Sequence, residues 1–258
     1  MSSLLSQPLT LNCGLVLPNR LAKAAMTEAL ADDYNRPTLQ LCNLYEQWST
    51  GGSGLLITGN VQVDRRYVER PGNVCIDGAQ TEEQLSLLKA FARAGQSHNN
   101  SKIFAQISHA GRQSNGMINM SPVGPGNIRI NLPKTHFGTP RALELHEIAD
   151  IQQRFVHAAK VCQQCGFDGV QIHAAHGYLL SSFLNPLANN RVELFGESDP
   201  YGGHVLSRAQ LLLDIVRAVR EAVGPTFAIS VKMNSADFQQ GGFSIEDAVQ
   251  VSSSGWGD

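Results

Sequence analysis

The sequence predicts an α/β protein built on a parallel sheet. Three observations carry this. Short apolar runs that suit buried strands alternate with longer segments whose apolar residues recur at helical spacing. Parallel neighbours need a crossover of a dozen or more residues, and the helical segments between the strand candidates supply it. Glycine or proline stops several of the helical segments, as expected at helix C-termini. Five strand–helix units can be counted in the 258 residues. Five units describe either an open piece of an eight-fold barrel, which would need three more, or a smaller doubly wound sheet.

The elements follow in order. LTLNCGLVLPN places two alternating runs around Asn12-Cys13-Gly14 and predicts a small hairpin. The first strand is expected over Leu21 to Ala25. A helix from Leu39 to Ser49 stops at Gly51-Gly52, and GLLIT, Gly54 to Thr58, is the second strand. Thr81 with Gln84 forms a capping box opening a helix that runs to about His98. KIFAQIS, Lys102 to Ser108, is the third strand. The Gly/Pro/Asn-rich stretch from Gly111 to Arg141 is too long for an idle connection and predicts a lid or substrate-side loop. Ile148, Ile151, Phe155, Ala158 and Cys162 form one stripe on a helix from His146 to Gln164. FDGVQIH is the fourth strand, Ser207 to Val223 the next helix, and FAISVKM the fifth strand. A short helix opening at Ser244 follows, and its pattern breaks after Val251, leaving 252–258 as an atypical tail.

Composition narrows the function class. Hydrophobic residues are 42% and charged residues 16%, enough apolar material for a sizeable core. The net charge of −2, without a dense basic stretch, argues against nucleic-acid binding. No apolar run approaches the roughly 20 residues of a membrane helix. MSSLLSQPLT lacks the basic and apolar regions of a secretory signal. Five scattered cysteines fit a reduced, cytoplasmic protein. In Cys162-Gln163-Gln164-Cys165 the thiols sit at a helix end rather than a helix start, so the pair reads as structural.

The chemistry concentrates in IHAAHGYLLSSFLNPLANNR, Ile172 to Arg191, which leaves the fourth strand at its C-terminal end. His173 and His176 can donate hydrogen bonds to one carbonyl oxygen and stabilise charge growing on it. The phenol of Tyr178 can deliver a proton. A local hydrogen-bonded loop is the plain alternative. A shared metal ion is another, with His109 as a possible third ligand.

This segment resembles the motif that marks the Old Yellow Enzyme family of flavin-dependent ene-reductases. The resemblance implies that His173 and His176 bind the substrate's electron-withdrawing group and that Tyr178 protonates the α carbon. PNRLAKAAMTEALAD resembles the family's first-strand segment, implying flavin contacts for Ala25, Met26 and Thr27, with the Thr27 hydroxyl on flavin O4. GLLITGNVQVDRR places Asn60 at a flavin-lining position. KIFAQISHAGRQS places Gln106 on the pyrimidine edge, with His109 and Arg112 as loop organisers. FAISVKMNSADF places Lys232 near flavin N1 and O2, where a cation stabilises the anionic reduced ring. The resemblance runs from about Leu9 to Asp247 and covers the first five of eight expected units.

It implies a (β/α)8 barrel of TIM type, incomplete over residues 1–251, with FMN as cofactor and NAD(P)H as reductant. The expected reaction passes hydride by way of the flavin to an activated alkene or enone. Two features depart from the family: VELFGESDPYGGHVLSRAQ is several residues longer than expected, and the segments that hold the FMN phosphate are not in the sequence. An inactive fragment unable to hold FMN, or a metal-dependent barrel hydrolase using the His pair, are the alternatives. No G-x-G-x-x-G occurs, so nicotinamide would share the flavin site.

Overall fold

The computed structural model describes residues 3–131 and 136–254. The chain opens with an antiparallel hairpin of β1 (Leu9–Thr10) and β2 (Val16–Leu17), as its alternating runs predict. A five-stranded parallel sheet follows, built from β3 (Ala22–Lys23), β4 (Leu55–Gln62), β5 (Lys102–Ser108), β8 (Gly169–Ala174) and β9 (Ala228–Met233). Its strands lie side by side in chain order, β3-β4-β5-β8-β9. A doubly wound sheet would reverse direction at a switch point. This one does not, so it is the arc of a barrel.

Helices α1 (Leu39–Thr50), α2 (Glu82–Gly95), α3 (Leu145–Gln164) and α6 (Val205–Val223) supply the crossovers, and α7 (Ile245–Ser253) follows β9. Local chemistry fixes where they start. The Thr38 hydroxyl accepts from the Leu41 amide, and Thr81 and Gln84 cap each other's backbone. Ser244 and Asp247 repeat that box at α7. The helix of the final unit reaches Ser253, two residues beyond the expected break, and 255–258 of the expected tail lie outside the described residues.

The two faces of the sheet differ. The outer face packs against the helices in the main core, where Ile103, Ala105, Ile107, Val170 and Ile172 meet Phe91, Phe155 and Leu212. The inner face carries a smaller apolar cluster of Leu55, Ile57, Phe104 and Ala228 at the N-terminal ends of the strands. Leu9, Leu11, Cys13 and Leu15 of the hairpin region cover that cluster, and Ala25 packs beside it. The hairpin therefore closes one end of the inner face, and polar side chains take over at the other.

The loop between β5 and α3 contains structure that the sequence pattern did not reveal. β6 (Val123–Gly124) pairs in parallel with β7 (Arg141–Ala142). Two short helices, α4 (Leu179–Leu184) and α5 (Arg191–Phe195), follow β8. All six residues of α4 are buried, so it has no polar face to reveal a period.

Cys162 and Cys165 are free and buried, and burial pushes both thiols up from their ordinary range. Both are therefore poor nucleophiles, which agrees with their structural reading.

Candidate active site at the strand ends

Strand register decides which side chains share the inner face, because residues two apart point the same way. Asn60 pairs with Gln106, Gln106 with Gln171, and Gln171 with Ser230. These form one polar row across four strands. The Gln106 amide donates to Gln171 Oε1 at 2.7 Å, and Gln171 donates to Ser230 Oγ at 3.2 Å. One layer nearer the C-terminal ends, His173 pairs with Lys232. Gln171 and Ser230 were not singled out in the sequence. Their polarity inside two apolar strands was the available signal.

Asn60 reaches this row because β4 is irregular between Ile57 and Asn60. Such a break re-aims the following side chain. Gly59 lies at that break, and a Cβ there would fall inside van der Waals contact of the Met26 carbonyl and the Glu28 carboxylate, and 2.9 Å from Thr27 Cα. Gly59→Ala should therefore displace the segment carrying Thr27. A loss of about 1–3 kcal/mol is expected, measured by urea unfolding.

The end of β8 and the turn after it present the imidazoles and the phenol. His176 has φ of 62° and Gly177 of 78°, both left-handed. Neighbouring strand exits hold this strained turn: the His176 amide donates to Asn234 Oδ1 at 3.1 Å, and Gln113 donates to the His176 carbonyl at 2.7 Å. The His173 and His176 rings meet edge to face with centroids 5.1 Å apart, and the Tyr178 ring lies 5.0 Å from His173, also edge to face. His173 is 2% exposed, whereas His176 is open to solvent. The Ala175 amide donates to His173 Nδ1 at 3.2 Å, which leaves Nε2 as the protonated nitrogen of a neutral ring.

Thr27 and Asn60 converge on Glu69, which the sequence reading passed over. Glu69 Oε2 accepts from Thr27 Oγ1 at 2.9 Å and from Asn60 Nδ2 at 2.7 Å. Burial, then the Glu69 carboxylate, push the Tyr178 phenol above the ordinary tyrosine range. Met26 is 53% exposed, and its carbonyl rather than its side chain packs at Gly59. Beside Tyr178 a cavity of about 420 Å³ opens, walled by Glu69, Arg70, Gln113, Met117, His136 and Phe137. Residues of the long loop, Gln113, Asn115, Met117, His136 and Phe137, line it.

His109 and Arg112 lie apart from this cluster. His109 stacks on Tyr67, its Nδ1 accepts from the Gly111 amide at 3.0 Å, and its Nε2 stands 4.0 Å from buried Asp64. Arg112 donates to the Ile128 carbonyl at 3.3 Å. Both organise loops. His109 does not join the His pair, and among the described residues no three His, Cys, Asp or Glu side chains are grouped to hold a metal ion.

Burial pushes the His109 imidazole down to about 4, and burial, then the charges of His176 and Lys232, push His173 down to about 3. Between those values and the ordinary 6.5 the unfolded chain binds protons that the folded chain refuses, so stability rises with pH through that window. The urea midpoint should therefore be flat above about pH 7 and fall below about pH 6, and His109→Asn should flatten the fall.

A model of the NADH:flavin oxidoreductase / NADH oxidase family matches residues 4–253. The chain is 38% identical over 247 residues to the NADH-dependent flavin oxidoreductase iliE of Hypocrea jecorina, covering 90% of this chain and 60% of that protein. It is 35% identical to an NADH oxidase of Thermoanaerobacter brockii, covering 92% and 35%. Among solved structures, morphinone reductase aligns with a TM-score of 0.78 at 27% identity, covering 95% of this chain and 66% of that one. The old yellow enzyme homologue from Zymomonas mobilis aligns at 0.79 and 27%, covering 95% and 67%. The chain thus spans between 32% and 60% of the length of the first four curated relatives it matches.

Proposed function

The chain belongs to the NADH:flavin oxidoreductase / NADH oxidase family, and on that premise we propose that it carries the ring-facing and substrate-facing part of an FMN-dependent oxidoreductase that passes hydride from NAD(P)H to an activated C=C bond. One observation carries the reading: side chains from four separate strands and the turn after β8 line a single inner face at the strand ends. The donor set fits a flat, polar-edged ring. Asn60 and Gln106 supply amides, Lys232 a cation, and Asn60 Oδ1 is buried without a partner.

Thr27, Asn60, Gln106 and Lys232 would hold the ring, flanked by Ala25 and Met26. When bound, FMN supplies the two-electron chemistry, taking up hydride from the nicotinamide and giving it to the alkene. Lys232 lowers the energy of negative charge at the ring edge beside it. His173 and His176, as neutral N–H donors, hold the substrate carbonyl oxygen and stabilise charge developing on it. Tyr178 gives its phenolic proton to the α carbon. The cavity beside Tyr178 is lined by polar residues together with Met117 and Phe137, which suits a small enone with an apolar body.

The test is reconstitution with FMN of the chain alone and of the chain continued by the C-terminal part of the Hypocrea jecorina relative. A yellow protein whose NAD(P)H oxidation is accelerated by cyclohexenone is expected. A folded, reconstituted protein that cyclohexenone does not accelerate would refute the reading.

A further inference from the structure

We propose that Lys23, Glu28 and Tyr45 form a side-chain clamp on the break in β4 and are the positioning residues for Thr27 and Asn60. The clamp is read from hydrogen bonds alone, and its consequence for FMN rests on the function proposed above.

The break has a definite form. Ile57 pairs with Phe104 and Asn60 with Gln106, so β4 advances three residues while β5 advances two. One residue of β4 is therefore extra, the mark of a bulge. A bulge takes backbone groups out of the regular ladder, and buried ones need other partners. On the β5 side the Gln106 amide donates to Thr58 Oγ1 at 2.9 Å. On the other side the β3–β4 pairing ends at Lys23 and Leu56. Beyond it side chains take over. Lys23 Nζ donates to the Ile57 carbonyl at 2.8 Å, and the Gly59 amide donates to Glu28 Oε1 at 2.9 Å. The two contacts bracket the break.

Tyr45 joins them. Its hydroxyl donates to Glu28 Oε1 and accepts from Lys23 Nζ at 3.1 Å. The phenol reaches in from α1, where the Tyr45 ring is buried edge to face against Trp48 at 4.9 Å and Phe91 at 4.8 Å. Lys23 Nζ also stands 4.1 Å from the centroid of the Trp48 ring. Burial pushes the Lys23 ammonium down to about 8, against the pull of Glu28. Polar groups held in such surroundings are stable only while their bonds are made, so each member fixes the others.

Sequence neighbours carry the effect to the site. Glu28 follows Thr27, and Gly59 precedes Asn60. The Glu28–Gly59 bond therefore ties together the two backbones from which the Thr27 hydroxyl and the Asn60 amide reach the same oxygen of Glu69. Without the clamp these two side chains lose their common register.

The experiment follows the clamp by NMR, first without FMN. In the unmodified chain the Gly59 amide should exchange its hydrogen slowly. In Glu28→Ala it should exchange about tenfold faster, and the Asn60 side-chain amide signals should move, while amides of α3 keep their rates. Glu28→Gln retains an acceptor and should keep Gly59 slow. Tyr45→Phe, which removes only the bridging hydroxyl, should act like Glu28→Ala by less and serves as the readout should that variant not fold. Free exchange at Gly59 in the unmodified chain, a folded variant in which Gly59 and Asn60 do not respond, or a rise spread equally over all amides overturns the proposal. With FMN added, Glu28→Ala should bind it about tenfold more weakly and Glu28→Gln should restore the affinity. FMN held equally well by Glu28→Ala and the unmodified chain would also overturn it. Should Gly59 and Asn60 respond while no form binds FMN, the proposed function fails and the clamp stands.

Discussion

Tyr178→Phe is expected to lower reduction of an enone by about 10²–10⁴-fold while leaving the rate at which NAD(P)H reduces bound FMN unchanged. The substitution removes one oxygen and its proton. The ring keeps its edge contact with His173, so the imidazole pair keeps its geometry. What is lost is proton delivery to carbon, a step confined to the second half of the cycle. Rapid mixing separates the halves: bleaching of the flavin by NAD(P)H reports the first, and reoxidation by enone the second. Equal losses in both halves would mean that Tyr178 supports the site structurally and is not the donor.

Arg191→Ala is expected to cost about 3–5 kcal/mol of stability, against a total of about 5–15 for a typical domain. Arg191 is 1% exposed. Its Nε and Nη2 each lie 2.8 Å from a different oxygen of Asp199, and Nη1 donates to the carbonyls of Leu143 at 2.7 Å and Pro125 at 3.2 Å. Four acceptors from three parts of the chain meet on one guanidinium. Truncation leaves the Asp199 carboxylate buried without its counter-charge, and that residual charge is the main cost. Arg191→Met with Asp199→Asn should recover most of the loss. Urea unfolding of the three forms is the check, and an Arg191→Ala loss below about 1 kcal/mol would show that this segment is not fixed by the ion pair.

Arg191 also anchors the connection between α5 and α6. Asp199 lies within VELFGESDPYGG, and its carboxylate ties that segment back to the start of α5. Further along, Arg208 at the start of α6 donates to the carbonyls of Leu184 and Gly203 and pairs with Asp247 of α7 at 3.1 Å. The connection is thus bound to the body of the protein.

Much of the fold was legible because it rests on local chemistry. The helices came from apolar period and capping residues, and the buried strands from continuous apolar runs. β4 ran four residues past its expected end at Thr58, because Asn60 and Gln62 are polar yet buried. The β6–β7 pair and α4 escaped notice because two-residue strands and a wholly buried helix have no period. The imidazoles and the phenol stood out as a cluster after the fourth strand, and Gln106 and Lys232 by resemblance. The row that joins Gln106 to Gln171 and Ser230 did not, because register is set by pairing across residues far apart in sequence. Glu69 was hidden for the same reason. Followed by Arg70 and Pro71 it reads as a surface charge, and only the fold brings Thr27 and Asn60 to it.

The central claim is that separate strand ends border one flat ring, and a flavin titration with three single variants tests it most directly. Thr27→Ala, Gln106→Ala and Lys232→Ala alter three different strand ends. Each should weaken the same saturable change in the FMN visible spectrum by about tenfold, or about 1.4 kcal/mol, while the far-ultraviolet circular dichroism stays unchanged. Variants that leave the flavin spectrum and its affinity untouched, in a protein that binds FMN, would contradict the claim.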